Sequence, residues 1–452
     1  MANMPTPPSY VAARLAGFET TPDVLAMITY VVSLILSLVA IHAFFYILLW
    51  STQDAREAPT VDTGVPFLSA LVYIEWQGLR YWDRHAALSE SMNKPDINGT
   101  RVNMREWIDK EITMATTDAI YGPLNPFRDP KAAPIWPDYE GGLAPLLLNI
   151  LPAITARRPA KAREALVRAC ERYYARGGQL HGSAFIKHRC EFYLSRGVPF
   201  EDIARIEVGA AIGLISNTKP AAFWLPYHVC SDPTLLESCR QELMSKAVRV
   251  EKAAENSTLT IDMTCVKSSC PILLSAFKET FRFHSMSISI RQVVGDDVLD
   301  STYLLKKGSY LLIPAAVQHG MKSVWGEDVG RSDPTRFLQK DNNQKGRRPN
   351  PAAFRGFGGG STLCPGRHFA TTEILAFVAM AILRFDIRPQ SGRWVMPTVG
   401  KSKPGIALHR PDQDLEVELV RRDGREVEWR VTFSGAGGPM RMSADDGGAA
   451  VG

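Results

Sequence analysis

The chain has 452 residues, 45% of them hydrophobic and 22% charged, with a formal net charge of +5. This length accommodates one large domain or two ordinary ones, and the composition is that of a globular protein. So mild a positive charge argues against nucleic-acid binding but is compatible with a local basic face. The seven cysteines are odd in number and scattered, which argues against a disulfide framework and favours a reducing compartment.

The first predicted element is an apolar run, residues 24–50, that carries no formal charge. It is long enough to cross a bilayer, which takes ~20 residues. A cleaved signal peptide has a shorter apolar region and a small-residue cleavage site after it. Here Tyr46 and Trp50 end the run. We therefore predict an uncleaved transmembrane anchor, preceded by an N-terminal flank (residues 1–23) and followed by a polar linker (residues 51–66).

The rest of the chain is predicted to be one catalytic domain, residues 67–433, that is mainly α with a small β component. Over Leu143–Arg176 the apolar spacing is helical, and Pro152 and Pro159 are expected to break the helix. The Gly- and Ala-rich tail, residues 434–452, is predicted to be disordered.

Further helices are predicted later in the domain. The spacing indicates one long helix over Phe200–Leu225, apolar all round in its middle and therefore buried. Another helix is predicted within Ser257–His284, and a third from Ser361 to about Leu383. The segment Arg291–Ile313 alternates enough to predict short strands, with a turn at Lys306–Gly308.

One stretch, FRGFGGGSTLCPGRHFA (residues 354–370), contains a single cysteine flanked by glycines, which make the backbone around it unusually free. A thiolate is a strong soft ligand for iron, and the glycines at 358–360 and 366 allow close backbone approach and positive φ. Pro365 stiffens the loop. A helix that begins just after Cys364 would place the positive end of its dipole at the sulfur. A lone cysteine is more often a small buried hydrophobe, so other motifs have to support this interpretation.

Two upstream stretches provide such motifs. In FKETFRFH, Glu279 and Arg282 share one helix face at i and i+3 and can form an ion pair, although this spacing is common on surface helices. In SNTKPAAFW, Asn217 and Thr218 precede Pro220. Because proline lacks an N–H, it frees a carbonyl one turn back, and the helix is expected to bend there. Without the other motifs, a kinked core helix explains this stretch equally well.

Together these motifs resemble the cytochrome P450 superfamily. The haem-binding loop of that family reads F-x-x-G-x-x-x-C-x-G-x-x-x-A, and the matching positions here are Phe357, Gly360, Cys364, Gly366 and Ala370. The position two residues before the cysteine, often Arg or His in the family, is Thr362. A contact to a haem propionate is therefore expected to be weaker there, or to come from elsewhere.

The resemblance also implies roles for the upstream motifs. In the family an arginine of a following meander completes the E-x-x-R pair, and Arg336 in DPTRF occupies the matching place, giving the ion-pair triad Glu279, Arg282 and Arg336. Thr218 is implied to deliver protons to bound oxygen, together with Asn217 and ordered water.

The branch of the family is indicated by two details. N-T-x-P-A-x-F-W, and an arginine (Arg291) twelve residues after Glu279, are similar to the branch that holds bile-acid-pathway sterol hydroxylases and prostacyclin synthase. Arg291 is then a candidate haem-propionate partner, the alternative being a solvated strand residue. The residues implied to bind haem are Cys364, Phe357, Gly360, Gly366, Arg291 and Arg367, with Cys364 as the iron ligand.

The resemblance predicts a haem-thiolate monooxygenase of the endoplasmic reticulum membrane, with a single transmembrane helix and a cytosolic catalytic domain. Its partners are expected to be NADPH-cytochrome P450 reductase and a hydrophobic small molecule, such as a sterol, a terpenoid or another secondary metabolite. Nucleic acid is not expected as a partner.

The N-terminal part of the domain fits the family less well. Between the anchor and the matching region, the chain is shorter than family members, which carry there a small sheet and the B–C helix region. WQGLR, from Trp76 to Arg80, matches the family's W-x-x-x-R haem motif, but the nine tryptophans, the many arginines and the context of the match favour chance. Two alternatives therefore stay open. One is a haem-thiolate isomerase or dehydratase acting on an oxygenated lipid, which Thr218 disfavours, and the other is a truncated pseudoenzyme without haem.

Overall fold

The computed structural model describes most of the chain after residue 98. The described residues are 99–148, 151–252, 257–338, 351–360, 363–402, 406–422 and 427–434. The predicted anchor, the WQGLR motif and nearly all of the predicted tail lie outside them. Within the described ranges, no helix is both long enough and apolar enough to cross a membrane.

Helices dominate the described part of the chain, as predicted. In chain order they are α1 (Met104–Tyr121), α2 (Trp136–Gly141), α3 (Leu143–Leu148), α4 (Pro152–Thr155), α5 (Arg157–Ala175), α6 (Gly178–His181), α7 (Ala184–Ser195), α8 (Phe200–Ile215), α9 (Thr218–Ser231), α10 (Pro233–Lys246), α11 (Met263–Ser269), α12 (Pro271–His284), α13 (Ala315–His319), α14 (Lys322–Trp325) and α15 (Arg367–Arg384).

The strands are short and form four small sheets in the described residues. They are β1 (Thr100–Asn103), β2 (Val248–Lys252), β3 (Ser257–Asp262), β4 (Ile288–Gln292), β5 (Asp297–Leu299), β6 (Tyr303–Leu305), β7 (Tyr310–Pro314), β8 (Phe385–Pro389), β9 (Glu416–Arg421) and β10 (Glu428–Thr432). The sheet orders are β1-β9-β8, β10-β3-β2, β4-β7 and β5-β6. All neighbours are antiparallel except β10 and β3, which run parallel. The minor β component is thus confirmed.

The helix predicted within Ser257–His284 is confirmed, but it takes up only part of that range, because the chain first forms β3 and then α11 before α12 begins. The pairing of β3 with β10, more than a hundred residues later, has no local signal. Pro159 was expected to break a helix, and it does not. It lies in the first turn of α5, where no N–H donor is needed. The predicted helix from Ser361 begins only at Arg367.

The predicted helix Phe200–Leu225 is two helices, α8 and α9, separated at Ser216 and Asn217. The two halves differ in burial. α8 buries one face, whereas α9 is buried on all sides from Thr218 to Tyr227. α9 packs against α1, α10, α12 and α15 and lies at the centre of the larger hydrophobic cluster.

A second hydrophobic cluster joins α5, α7 and α8 to the end of α1. At its centre the buried carboxylate of Glu207 accepts a hydrogen bond from Arg189 at 2.6 Å. The hydroxyls of Tyr121 and Tyr174 also donate to it, at 2.7 and 3.0 Å. Because these four residues come from four helices, this charge-assisted network sets the register of α8 against its neighbours.

A second buried carboxyl, that of Glu373, lies inside the larger cluster. Glu373 of α15 is fully buried, and Oε1 accepts a hydrogen bond of 2.5 Å from the hydroxyl of Thr116 on α1. Oε2 has no hydrogen-bond partner among the described residues. Burial raises the pKa of Glu373 to about 8, so the carboxyl is protonated at neutral pH.

The raised pKa predicts how stability depends on pH. Between the ordinary pKa of 4.5 and about 8, the unfolded chain releases a proton that folded Glu373 keeps. Glu373 therefore lowers the free energy of unfolding as pH rises through this window, by about 1.4 kcal/mol per pH unit. Urea unfolding at several pH values measures this. The free energy of unfolding of Glu373→Gln should rise relative to that of the wild type by this slope as pH increases. Glu327→Gln, at an exposed site, should show no such trend; parallel pH profiles for wild type and Glu373→Gln would contradict the prediction.

Candidate active site

The cysteine loop is closed by backbone hydrogen bonds around Cys364. The Cys364 N–H donates to the carbonyl of Phe357 at 2.8 Å, and the Leu363 N–H donates to that of Gly360 at 3.0 Å. Gly358 and Gly360 have φ of +82° and +58°, in the region that favours glycine. Gly366 has φ of −86° and needs no such freedom, which corrects the expectation for that position.

The sulfur lies just before the N-terminus of α15. Gly366 is the residue before this helix, and a Cβ placed on it would lie 4.0 Å from Sγ of Cys364, in ordinary contact. The Arg367 side chain also reaches back to the loop, where its Nη1 donates to the Cys364 carbonyl at 3.1 Å. The sulfur thus lies where the positive end of the helix dipole and a nearby guanidinium both favour a thiolate.

Phe357 anchors the loop on α12. Its ring stacks on that of Phe281 with centroids 4.6 Å apart, and Phe277 lies farther along the same helix. The approach is close enough to require glycine at position 356, because a Cβ there would lie 2.7 Å from Phe354 and 3.0 Å from Phe281. The loop is therefore held against the helix that carries the E-x-x-R motif.

The structure brings the three predicted ion-pair residues together. Arg282 donates to both carboxylate oxygens of Glu279 at 2.7 Å, and Nε of Arg336 lies 3.3 Å from Oε1. Both side chains of the first pair are at most 2% exposed. The same carboxylate accepts from the Asp333 N–H at 2.9 Å. Two arginine side chains and one backbone donor thus share one buried carboxylate.

The arginines use their remaining donors to hold backbone carbonyls. Arg282 donates to the carbonyls of His319 and Arg331, and Arg336 donates to that of Trp325. His319 then links the network to the cysteine loop, because its Nε2 accepts from the Arg355 N–H at 2.8 Å. Burial lowers the pKa of His319 to about 4, which keeps the ring neutral and able to accept. The sequence gives no signal for His319, because one of its two contacts, the one with Arg282, is made by its backbone carbonyl.

Arg291 lies beside the cysteine loop. Its Nη2 donates to the carbonyl of Gly359 at 3.1 Å, and its Nη1 donates to the carbonyl of Ile290 at 3.0 Å. The structure thus brings Arg291 to the loop from β4 and does not leave it as a solvated strand residue. Thr362 and the WQGLR motif lie outside the described residues.

Between α8 and α9, the helix break places Thr218 at the start of the buried helix. Thr218 is 4% exposed, and its hydroxyl donates to the carbonyl of Leu214 at 3.3 Å. The Asn217 carboxamide oxygen accepts from the Ala407 N–H at 2.7 Å, which ties the break to the loop before β9. Pro220 lacks the N–H that would bond the Ser216 carbonyl, so the break has a local cause.

The described residues fit a haem-thiolate centre in their donor chemistry. One cysteine sulfur lies at a helix N-terminus, Arg291 and Arg367 bring two guanidinium groups to the same loop, and the loop glycines keep Cβ atoms away from its backbone. Within the described ranges, no cluster of three or more His, Cys, Asp or Glu side chains is placed to hold a metal ion. A haem-thiolate centre takes its protein ligand from one cysteine.

The comparisons with known proteins agree with this site. The Cytochrome P450 family model matches residues 212–417, which contain the helix break, the ion-pair network and the cysteine loop. A cytochrome P450 monooxygenase of Gibberella zeae is 31% identical over 358 residues, or 76% of this chain and 68% of that protein. The chain belongs to the cytochrome P450 family. Cytochrome P450 monooxygenase nodJ of Hypoxylon pulicicidum is 38% identical over 333 residues, or 72% of this chain and 65% of that protein.

More distant similarities concern the branch and the fold. Cholesterol 7-alpha-monooxygenase of Cricetulus griseus is 24% identical over 234 residues, 48% of this chain and 45% of that protein. The predicted resemblance to the sterol hydroxylase branch is thus confirmed as a distant similarity. The solved structure of retinoic acid bound cyanobacterial CYP120A1 has a TM-score of 0.58 and 18% identity, and the match covers 78% of each chain. This likeness shows that the described domain has the P450 fold.

Removing the charge of Glu279 should destabilise the P450 domain. Glu279→Gln leaves the guanidinium groups of Arg282 and Arg336 buried beside a neutral amide, and we expect a loss of about 3–5 kcal/mol in the free energy of unfolding. Urea denaturation followed by tryptophan fluorescence measures this. The matched control is Glu327→Gln, which removes an exposed pair with Lys322 and should change stability by less than about 0.5 kcal/mol. Equal losses in the two variants would contradict the prediction.

Proposed function

We propose that this P450 is a haem-thiolate monooxygenase that oxidises a hydrophobic small molecule with O₂ and electrons from NADPH-cytochrome P450 reductase. The observation that carries the proposal is the cysteine loop, closed by its own backbone and held at the start of α15. The substrate class rests on the distant similarity to a cholesterol hydroxylase and on relatives that are fungal monooxygenases. It includes sterols, terpenoids and other secondary metabolites.

Cys364 would bind the iron through Sγ, and Arg291 and Arg367 would lie where they attract the propionates. The haem supplies oxygen binding and activation, to which an anionic sulfur ligand contributes electron density. The Cys364 N–H is engaged with Phe357, and the helix N-terminus stabilises negative charge on the sulfur. The buried carboxylate of Glu279 keeps the loop in place through Arg282 and His319.

Thr218 would move the protons that oxygen reduction needs. Its hydroxyl is buried at the helix break and can turn from the Leu214 carbonyl toward a bound ligand. The Asn217 oxygen accepts a hydrogen bond from the Ala407 N–H and so positions the loop beside the break, while its amide nitrogen would bind the ordered water that serves Thr218. We therefore assign proton delivery to Thr218, assisted by Asn217 and ordered water.

We propose membrane attachment through the apolar run of residues 24–50, with the P450 domain in the cytosol at the endoplasmic reticulum. Support comes from the length of that run and from the hydrophobic substrate class.

Cys364→Ala tests the haem-thiolate assignment. The reduced, carbon monoxide-bound wild type in membranes should show the red-shifted Soret band of thiolate ligation, and the variant should lose it entirely because the sulfur is removed. Cys265→Ala, which changes another partly exposed cysteine, should retain the band. No band in wild-type protein shown to be expressed would overturn the assignment in favour of a pseudoenzyme without haem.

Thr218→Val tests the monooxygenase assignment. Loss of the hydroxyl should slow the NADPH-driven reduction of O₂ to water by about 10²-fold, as expected when a positioned proton donor is removed. Oxygen consumption and hydrogen peroxide release, measured with reductase present and no organic substrate added, give this rate. The carbon monoxide band should be unchanged. A wild type that consumes no NADPH while showing the band would favour an isomerase or dehydratase.

A further inference from the structure

Helix α15, which follows the cysteine loop, is buried on every side from Thr371 to Arg384. It packs against α9, α10 and α11, and the ring of its Phe377 lies 5.5 Å from that of Trp107 on α1. Most of the side chains that it buries are apolar, and apolar contacts are not directional. Such packing specifies the rotation of a helix less sharply than a hydrogen bond does, and one buried polar residue can set the register of two packed helices.

Glu373 makes a polar contact of this kind. Among the side chains from Thr371 to Leu383, it is the one that hydrogen-bonds to another element of the described chain, because its Oε1 lies 2.5 Å from Oγ1 of Thr116 on α1. Both side chains are fully buried. The hydroxyl of Thr372, by contrast, donates within the helix to the His368 carbonyl. The Glu373–Thr116 pair therefore ties the middle of α15 to α1.

The two contacts of the Thr116 hydroxyl are both hydrogen bonds at once only if Glu373 is neutral. The hydroxyl lies 2.8 Å from the Ile112 carbonyl and 2.5 Å from Glu373, and it has one proton to donate. A protonated carboxyl can donate to the hydroxyl oxygen while the hydroxyl proton goes to the carbonyl. Burial acts in the same direction, because it raises the pKa of Glu373 to about 8. Among the described residues, no charged side chain acts on this pKa, and the Thr116 hydroxyl is the one other influence on it.

The backbone runs without interruption from the helix of Glu373 to the sulfur. α15 begins at Arg367, whose N–H donates to the Cys364 carbonyl at 3.4 Å, and the Ala370 N–H donates to the Gly366 carbonyl at 2.9 Å. Glu373 lies six residues after Arg367, or about 9 Å along the helix axis. A rotation of α15 about its axis therefore moves the start of the helix, and Cys364 moves with it.

We propose that Glu373, held neutral, is a positioning residue for the iron ligand. Its hydrogen bond with Thr116 fixes the rotation of α15 and so the direction in which Cys364 presents its sulfur. Glu373 acts through the helix and takes part in no covalent step. The inference rests on the proposed function, from which it takes the role of Cys364 as the iron ligand.

Substitutions in the full-length protein in membranes test this role. The measured quantity is the share of the reduced carbon monoxide complex that shows the red-shifted Soret band. Glu373→Gln keeps a neutral donor of nearly the same size, so its share should equal that of the wild type. Glu373→Leu and Thr116→Val each remove the hydrogen bond, and the ratio of thiolate-bound to other complexes should fall at least about fivefold.

Thr372→Val is the matched control for Thr116→Val. It removes a fully buried hydroxyl of α15 itself, but one that bonds within the helix to the His368 carbonyl. The control should therefore retain the wild-type ratio. An equal loss of the band in Thr372→Val and Thr116→Val overturns the proposal, because the loss of any buried hydroxyl would then be sufficient.

A purely structural role of Glu373 gives a different result. Glu373→Leu and Thr116→Val would then lower the thermal unfolding midpoint, while the folded protein retained the whole band. This outcome overturns the proposal. A loss in Glu373→Gln as large as that in Glu373→Leu also overturns it, because a neutral donor would then not be what the site requires.

The dependence on pH tests the neutral carboxyl even if Glu373→Leu fails to fold. As pH rises through about 8, Glu373 loses its proton and can no longer donate to Thr116. The red-shifted band of the wild type should then decline reversibly, whereas that of Glu373→Gln should persist because the amide does not titrate. Parallel pH profiles for the two proteins overturn the proposal.

The wild-type spectrum separates this inference from the proposed function. A red-shifted band in the wild type and in Glu373→Gln, reduced in Glu373→Leu and Thr116→Val, supports the positioning role. A band of equal strength in the wild type and in all variants overturns that role and leaves the haem-thiolate assignment standing. No red-shifted band in the wild type at any pH overturns the assignment, and the positioning role falls with it because no ligated sulfur is present to be positioned.

Discussion

The carboxylate of Glu279 is the contact on which the rest of the site depends. It is buried and receives two hydrogen bonds from Arg282, one from a backbone N–H and an ion pair with Arg336. A buried carboxylate without these partners would be severely destabilising, so the whole segment that supplies them is held in one arrangement. Through His319 that arrangement extends to Arg355 and so to the cysteine loop. An electrostatic requirement in α12 thereby positions a sulfur more than eighty residues later in the chain.

The part of the site around Thr218 depends on a backbone N–H that is missing at Pro220. Pro220 cannot bond to the Ser216 carbonyl, and the long helix separates into α8 and α9 at that point. A loop from later in the chain approaches the break, where Ala407 bonds to Asn217 and Arg410 pairs with Glu140. The buried carboxylate of Glu140 is thus compensated by a cation from a distant part of the chain.

Both halves converge on α9 and α15, the two most deeply buried helices in the described residues. α9 contacts α12, which carries the ion-pair network, and α15, which follows the cysteine. The link between α15 and α1 includes a protonated carboxyl, Glu373, bonded to Thr116. In such a core, burial sets the protonation states of several polar groups. The free energy of unfolding therefore depends on pH.

Several site residues could be predicted from the sequence because their signals are local. The order of glycines around Cys364 reflects backbone angles that depend on a few neighbouring residues, and the spacing of Glu279 and Arg282 reflects a single helix face. The helix break at Ser216 likewise follows from one proline. By contrast, β3 was not predicted as a strand, because its strand identity depends on β10, far away in the chain. The positive φ expected at Gly366 was wrong, because Gly366 is the N-cap residue of a helix that begins at Arg367 and not at Ser361.

By itself, the sequence determined the family, the mainly helical class and the position of the cysteine loop, since each depends on short motifs whose geometry is local. Only the tertiary structure decided which groups surround those motifs. It brought Arg291 to the loop, occupied the Asn217 carboxamide with Ala407, and gathered Glu140, Lys219 and Arg410 into one cluster. These contacts join residues far apart in the chain, and a local pattern carries no record of a partner supplied by folding. Of this cluster, only Lys219 stands out in the sequence, as a charged residue within an otherwise apolar helix.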